Sequence, residues 1–479
     1  MNYRMIKYTL GWLLLFETGF FMIPLLTALV FRESTVVSIL ISMAITAAAA
    51  VLCLAFKPKN RQLYAREGFV IVALSWIFLS IFGALPFVIS GVIPSYIDAL
   101  FETVSGFSTT GASILSEVES LPKSLIMWRS FTHWVGGMGV LVFIMAFIPL
   151  SGGRNLHIMK AESPGPEVSK LVPKMKTTAL ILYVIYFALT LLQFIILLFG
   201  KMSPFEALNT AFATAGTGGF GFRNDSFASF SPFIQVVVTV FMLIFSVNFG
   251  SYYFLFKGKL KEAFNLEFRV FCYIVFSAIA VIALNLVLSD TITDVGASIR
   301  HSAFSVASLV STTGFSTENF DLWPTLSRVI LVLLMFVGAC AGSTGGGIKV
   351  SRIIILIKGM FREFRYALHP RQVKKISIDS KPIDDEIVRS VNSYIICYIV
   401  VFVASVFAIS FEGHDLVTTF TSVTATINNI GPGLAKVGPA GNFAFFSVPS
   451  KLVLIFDMLA GRLELLPMLL LFHPATWKK

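Results

Sequence analysis

Long apolar runs separated by short polar stretches dominate this 479-residue chain. A helix needs about 20 apolar residues to cross a bilayer, and most of these runs reach that length. Their spacing predicts ten membrane spans, two leading ones followed by four pairs. The predicted spans are 8–30, 36–56, 68–93, 122–150, 177–200, 232–256, 270–289, 324–360, 391–411 and 449–472.

Each of the four pairs encloses the same shorter pattern, which indicates an internal repeat. A helical run of about ten residues, too short for a bilayer, leads into a glycine-centred turn, and a proline then opens the next apolar run. The turns align at Gly111, Gly219, Gly314 and Gly431, preceded two places earlier by Thr109, Thr217, Thr312 and Asn429 and followed by Pro122, Pro232, Pro324 and Pro449. The pattern predicts an all-α integral membrane protein with four helix–re-entrant pore loop–helix repeats around a central pore, preceded by two extra transmembrane helices.

The turns have the chemistry of a cation filter. Non-helical backbone survives at membrane depth only inside protein or beside a water-filled path. Four turns around one axis would present carbonyl oxygens that replace the hydration shell of a cation, and the carbonyl ends of the short helices would add partial negative charge. Glycine tolerates positive φ and adds no side chain to the path. The predicted filter, a cation site, consists of Thr109, Thr110, Gly111, Thr217, Gly218, Gly219, Thr312, Thr313, Gly314, Asn429, Ile430 and Gly431.

Two further features predict a gate next to the filter. Small residues from Gly338 to Gly347 lie in the middle of span 324–360 and would unwind a helix, although close helix packing is an alternative. Arg462 lies within the last span, where an arginine costs roughly 2.5–3.5 kcal/mol and marks function; the alternative is a snorkelling arginine or one paired with Glu464 or Asp457. The predicted gate residues are Gly342, Ser343, Thr344, Gly345, Gly346, Gly347, Lys349 and Arg462. Lys349 would hold the loop or face the pore.

Composition and charge support a membrane protein and exclude other classes. The chain is 56% hydrophobic and 13% charged, whereas soluble domains are about 25% charged. The net charge of +11 does not indicate nucleic acid, because the basic residues fall in loops on one side of the predicted spans, including 154–176 and 361–389. The excess of Lys and Arg on that side predicts that both termini are cytoplasmic. The four cysteines lie in apolar runs and are predicted to be free thiols.

Two segments partly match motifs of nucleotide-binding enzymes, but neither match is complete. The segment 216–221 fits a dinucleotide fingerprint, but it closes a short helix and no carboxylate follows at the required distance. The segment 342–349 resembles a phosphate-binding loop, but Ile348 separates the last glycine from Lys349. The histidines lack metal spacing, and the segment 128–133 is predicted to pack within a helix near the cytosolic half. We therefore predict that the chain is not an enzyme.

Several longer motifs resemble the TrkH/KtrB/HKT superfamily of potassium transporters, and within it the bacterial TrkH family. They accompany the four filter turns in the family's order over nearly the whole chain. The motifs lie at 128–139, 154–165, 338–349, 367–373 and 461–464. The two leading spans fit TrkH better than KtrB, because KtrB lacks these two spans.

The resemblance implies potassium as the substrate, because all four aligned filter positions are glycine, whereas serine at the first goes with sodium preference in HKT relatives. Repeat four lacks threonine, so selectivity is expected to be imperfect. It also implies that the run at 338–347 is an intramembrane gating loop and that Arg462 projects into the pore below the filter. Further implications are a bacterial inner-membrane homodimer, no covalently bound cofactor, no nucleic acid, and a cytosolic TrkA-type regulatory subunit that binds NAD(H) and adenine nucleotides and docks at 361–389.

The repeats divide the chain into five predicted units. The units are two leading helices at 1–66 and pore repeats at 67–176, 177–268, 269–389 and 390–479. A symporter coupling potassium to protons or sodium is an alternative to channel-like flux, and it would need an ionisable residue in the pore, for which Glu102 is the candidate. A membrane-embedded enzyme would need a cluster of acid–base residues, for which the repeat gives no reason.

Overall fold

A computed structural model describes residues 1–58, 65–139, 175–371, 375–379 and 381–477. The regular elements of these residues are α-helices, apart from two short 3₁₀ turns and one hairpin of two-residue strands. Within the described ranges, six helices are long and apolar enough to cross a membrane, or seven if one bent pair counts as a span. The predicted all-α membrane fold with helix–re-entrant loop–helix repeats is confirmed. The basic segment at 154–176 lies almost wholly outside the described residues.

The leading helices are attached to the first repeat. Together they comprise α1 (Tyr3–Phe20), α2 (Met22–Phe31), α3 (Thr35–Leu54), α4 (Ala65–Gly83), α5 (Leu85–Ile89), α6 (Tyr96–Phe107) and α7 (Lys123–Gly137). α1 packs against α3 and α4, and α2 packs against α7. The Glu33 carboxylate accepts from the backbone N–H groups of Lys123 (2.6 Å) and Ser124 (3.1 Å). A carboxylate at a helix N-terminus satisfies N–H groups that lack partners inside the helix, so Glu33 ties the leading pair to α7.

The other three repeats follow the same order of elements. They comprise α8 (Met175–Phe199), α9 (Pro204–Ala215), α10 (Pro232–Phe245), α11 (Phe249–Phe256), α12 (Leu260–Ala263), α13 (Leu266–Leu288), α14 (Val295–Val310), α15 (Thr325–Val337), α16 (Val350–Leu368), β1 (Ser377–Ile378), β2 (Lys381–Pro382), α17 (Asp385–Ser410), α18 (Leu416–Ile427), α19 (Val448–Arg462), α20 (Leu466–Phe472) and α21 (Pro474–Trp477). We call α6, α9, α14 and α18 the pore helices, because each stands before a glycine turn.

The second helix of each repeat is shorter than predicted. The helices α7, α10, α15 and α19 have 15, 14, 13 and 15 residues, fewer than a bilayer requires. The expectation of continuous spans at 232–256 and 449–472 is wrong: α10 and α11 meet at 90°, and positive φ at Glu464 and Leu465 separates α19 from α20. The break inside 324–360 was predicted. For span 122–150, the part after Gly139 lies outside the described residues.

The four repeats close into a ring. Each second helix packs against the pore helix of the next repeat: α7 against α9, α10 against α14, α15 against α18, and α19 back against α6. The pore helices are therefore enclosed by protein, and all but their outermost residues are largely buried. Outward-facing apolar side chains such as Val184 and Phe187 on α8 are exposed, as expected for a surface that faces lipid.

Candidate ion pathway

The outer ends of the pore helices are capped in the same way. A serine or aspartate immediately before each helix accepts the backbone N–H three residues further on. The caps are Ser95, Ser203, Asp294 and Asp415. Because an N-cap satisfies one of the first-turn N–H groups, each short helix begins at a defined residue and its carbonyl end points to the ring interior.

The inner ends of the pore helices share one left-handed turn. The residue two places before each aligned glycine has positive φ: Thr109 57°, Thr217 52°, Thr312 61° and Asn429 55°. The next N–H then donates to the carbonyl five residues back, at 2.8–2.9 Å in all four repeats. These bonds form the Schellman helix ending. A left-handed β-branched residue costs about 1–2 kcal/mol, whereas asparagine tolerates this conformation, so the departure of repeat four from threonine relieves strain.

The four glycine turns touch one another in a closed ring. A Cβ added to Gly111 would lie 2.0 Å from the Gly218 oxygen, and one on Gly219 would lie 1.9 Å from the Thr313 oxygen. The corresponding distances are 2.1 Å from Gly314 to the Ile430 oxygen and 2.8 Å from Gly431 to the Thr110 oxygen. Together with φ values of 79–95°, these contacts mean that only glycine fits.

Backbone oxygens are the available ligands around this ring. The carbonyls of Thr110, Gly218, Thr313 and Ile430 each lie against the glycine of a neighbouring repeat. Among the described residues, no group of three or more His, Cys, Asp or Glu could hold a metal ion. A cavity of about 160 Å³ outside the ring is lined by the four aligned glycines and includes Ser113 and Asn224. The arrangement can therefore take a weakly hydrated cation from water into a ring of carbonyl oxygens.

Side-chain hydrogen bonds stiffen three of the turns. The hydroxyl pairs Ser108–Thr110 (2.7 Å) and Ser311–Thr313 (2.6 Å) occupy equivalent places in repeats one and three. In repeat four, Asn429 Nδ2 donates to the Thr110 hydroxyl (3.0 Å) and to the Met458 carbonyl (2.8 Å). Asn429 thus links the fourth turn to the first where the two meet in the ring.

The segment Gly338–Lys349, which we call the intramembrane loop, lies directly beneath the ring. Gly346 N–H donates to the Thr312 hydroxyl (2.6 Å), and Gly347 N–H donates to the Asn428 carbonyl (3.1 Å). A Cβ on Gly346 would lie 2.3 Å from that same carbonyl. The loop therefore contacts the third and fourth turns through its backbone, which requires glycine at this approach.

The intramembrane loop also fills the break between α10 and α11. Cys340 N–H donates to the Ser246 carbonyl and Phe249 N–H donates to the Gly342 carbonyl, both at 3.0 Å. The Thr344 hydroxyl donates to the Phe245 carbonyl (3.1 Å). The backbone groups freed by the broken helix are thus satisfied by the loop, as the interior of a membrane protein demands.

Arg462 lies at the end of α19 and reaches across the ring. Its guanidinium donates to the carbonyls of Thr344 (2.8 Å), Gly136 (2.5 Å) and Gly137 (2.7 Å). Thr344 belongs to repeat three and the two glycines belong to repeat one, and these repeats face each other across the axis. The guanidinium therefore occupies the space beneath the four turns.

Comparisons with known proteins agree with this geometry. The sequence profile of the TrkH family, described as a cation transport protein, matches residues 34–479. The chain is 36% identical to the Trk system potassium uptake protein TrkH of Escherichia coli K12, with 100% of both chains covered. It is 32% identical to TrkG of the same organism, covering 88% of this chain and 87% of that one.

A solved structure gives the same result. The crystal structure of the potassium transporter TrkH from Vibrio parahaemolyticus matches 100% of both chains, with a TM-score of 0.90 and 32% identity. This chain belongs to the TrkH family. Membership confirms the resemblance that was drawn from the motifs.

In this TrkH family member, His133 is buried within α7 and lies beside the ring. Its Nδ1 contacts the Gly106 carbonyl (2.7 Å), and Phe220 N–H donates to its Nε2 (3.2 Å). Because Nε2 accepts, Nδ1 carries the proton and the imidazole is neutral. The histidine joins the first pore helix to the second turn. Its spacing in the sequence carries no signal for this role, because its partners are backbone groups.

A buried ion pair braces the first two turns on their outer side. Arg129 Nη2 lies 2.7 Å from Glu102 Oε1, and both side chains are almost fully buried. The same guanidinium donates to the Gly221 carbonyl (3.2 Å), and Glu102 accepts from Ser113 and from Ile114 N–H. Glu102, the candidate coupling residue of a symporter, is thus paired with Arg129 and bonded to the backbone after the first turn.

Several charged side chains surround the intramembrane loop. Lys349 Nζ donates to the Gly345 carbonyl, so this side chain links two parts of the loop. Arg352 pairs with Glu464 at 2.5 Å, and its guanidinium lies 4.0 Å from the centre of the Tyr394 ring. Asp457 accepts from the Ser405 hydroxyl of α17 (2.7 Å). Both acidic residues considered as partners of Arg462 therefore have other contacts.

Proposed function

We propose that this protein carries potassium inward across the membrane by channel-like flux through one pore per chain. The observation that carries the proposal is the closed ring of four glycine turns with carbonyls at every junction. Carbonyl rings of this kind replace the hydration shell of potassium. The TrkH relatives, which are named potassium uptake proteins, support the same substrate.

In this proposal the filter consists of the residues from two places before each aligned glycine to the glycine itself. The junction carbonyls of Thr110, Gly218, Thr313 and Ile430 bind the ion. Repeat four uses Asn429 where the others use threonine, so one position of the ring differs in side chain. The pore repeats keep the bounds 67–176, 177–268, 269–389 and 390–479, after two leading helices at 1–66.

The intramembrane loop and Arg462 form the proposed gate. The loop residues Gly342–Gly347 contact the third and fourth turns, Lys349 holds the loop, and the guanidinium of Arg462 places a fixed positive charge beneath the ring. A positive charge in a low-dielectric constriction opposes the passage of a cation. Opening requires the loop and the guanidinium to move aside.

The driving force and the regulation come from outside the chain. An inside-negative potential supplies roughly 2.3 kcal/mol per charge per 100 mV, so ion translocation needs no chemical step by the protein. We propose a homodimer in the bacterial inner membrane, regulated by a cytosolic TrkA-type subunit that binds NAD(H) and adenine nucleotides. Its docking surface is the basic segment 361–389, of which 372–374 and 380 lie outside the described residues.

Ion flux in a purified system tests the substrate. The protein reconstituted in liposomes is expected to take up rubidium, a potassium substitute, and to be slowed by external potassium much more than by sodium. Empty liposomes and liposomes with heat-denatured protein are the controls. Equal competition by sodium and potassium would overturn potassium as the preferred ion.

Labelling tests the orientation, which follows from loop charge. In a background without the four native cysteines, Ser120→Cys is expected to react with an impermeant thiol reagent from outside, and Lys381→Cys only after access to the inside. Ser120 and Lys381 are both exposed, so each cysteine is accessible on its own side. The reverse pattern would invert the topology.

A further inference from the structure

One carboxylate joins the two ends of the intramembrane loop. Glu267 lies in the first turn of α13, and its side chain is buried. Its Oε1 accepts from Ala341 N–H (2.7 Å) within the loop and from Ser351 N–H (3.0 Å) in the first turn of α16. The same oxygen therefore fixes the distance between the loop and the helix that follows it.

The contact supplies a helix cap that α16 lacks. The first N–H groups of a helix have no partner inside the helix and favour a carboxylate. The residue before α16 is Lys349, which has a φ of 81° and whose side chain does not cap the helix. Glu267 provides the missing acceptor from another helix. Two backbone N–H groups converge on this one buried oxygen, so the loop is pinned at this point.

The hairpin of β1 and β2 holds the same turn of α13 from the other side. Asp379, at the hairpin tip, accepts from Leu266 N–H (3.0 Å) and pairs with Arg269 (3.2 Å). Leu266 immediately precedes Glu267. The hairpin is itself anchored, because Ile376 and Ile383 on its flanks are buried in a cluster with Ile355 of α16. A displacement of the hairpin tip therefore pulls on the residue next to Glu267.

We infer that Glu267 is a positioning residue of the gate, and that the exposed hairpin acts on the intramembrane loop through the first turn of α13. The inference rests on the proposed role of the loop as the gate. A cytosolic protein that binds the hairpin and shifts Asp379 would loosen the Glu267 contacts and free the loop from beneath the ring. The route from the exposed hairpin to the ion pathway has three steps. Asp379 bonds the first turn of α13, Glu267 bonds the intramembrane loop, and the loop bonds the ring.

Rubidium flux through variants in liposomes, without any partner protein, tests the route. Glu267→Ala is expected to raise basal flux roughly tenfold, because two hydrogen bonds to a buried oxygen are lost. Glu267→Gln keeps an oxygen at the same place and should stay near the parent. Asp379→Ala should raise flux by a smaller factor and add nothing in the double variant with Glu267→Ala. Glu262→Ala is the matched control. Glu262 is an exposed carboxylate in α12, just before α13, and its loss should leave basal flux unchanged.

A native cysteine in the loop gives a readout that does not depend on flux. Cys340 is buried, and its N–H donates to the Ser246 carbonyl at the break between α10 and α11. With Cys53, Cys272 and Cys397 replaced by serine, a small thiol reagent applied from the inside should modify Cys340 faster in Glu267→Ala than in the parent or in Glu267→Gln. Equal modification rates in folded protein would overturn the inference.

The result for Arg462→Ala separates this inference from the proposed gate. If Arg462→Ala raises flux and Glu267→Ala does not, the loop is a gate but Glu267 does not position it, and the inference fails alone. If neither raises flux, the gate and the inference fail together. An Asp379→Ala variant at the parent's flux and Cys340 reactivity would contradict the coupling to the hairpin.

Discussion

Replacing Gly111 with serine is expected to lower the ratio of potassium to sodium flux roughly tenfold. A Cβ at this position would lie 2.0 Å from the Gly218 carbonyl, so that carbonyl must turn away from the ring. The φ of 79° adds strain of about 1–2 kcal/mol for any residue with a side chain. A change of about 1.4 kcal/mol in relative binding is a factor of ten. Competitive flux of rubidium and sodium in vesicles measures the ratio.

Gly91→Ser is the matched control for this substitution. Gly91 has nearly the same φ, 74°, but nothing lies within 4 Å of an added Cβ, so backbone strain is reproduced without displacing a ring carbonyl. Its ratio of potassium to sodium flux should equal that of the parent. Serine at Gly219 and at Gly314 should act as at Gly111, because their Cβ atoms would meet the Thr313 and Ile430 oxygens. Unchanged ratios at all three positions would remove the filter proposal.

Replacing Arg462 with alanine is expected to raise basal potassium flux by one to two orders of magnitude in the absence of a regulatory partner. The change removes the fixed charge beneath the ring and three hydrogen bonds to carbonyls of repeats one and three. Bonds from a charged donor contribute about 1.5–3 kcal/mol each, so losing part of them shifts a closed–open equilibrium by this amount. The ratio of potassium to sodium should stay near that of the parent, because the ring is untouched.

Lys451→Met provides the control on the same helix. Lys451 is also a buried base of α19, but it lies near the other end and pairs with Asp98 at 2.6 Å, away from the intramembrane loop. Its loss should leave basal flux at the parent's level. Shortening the loop within Gly342–Gly347 should raise flux as Arg462→Ala does. If Arg462→Ala and the shortened loop both insert normally yet conduct no better than the parent, the gate proposal fails. The small-residue run would then serve only in helix packing.

The sequence alone predicted the repeat, the pore helices and the four turns, because their signals are local. A short helical run and a glycine that needs positive φ occur within about fifteen residues of each other, as in 98–111. The break in span 324–360 was predictable for the same reason, since small residues weaken a helix wherever they lie. Glu102 and Arg462 were also conspicuous as charges in apolar surroundings.

The tertiary structure decided what these residues contact. The break between α10 and α11 is stabilised by loop residues Cys340 and Gly342, which lie more than 90 positions away. The same holds for His133 beside the second turn and for Glu267 beneath the loop, whose partners are backbone N–H and carbonyl groups. Every residue carries such backbone groups, so no residue type in the sequence marks them as partners. Only the packing of distant helices determines which of them a side chain meets.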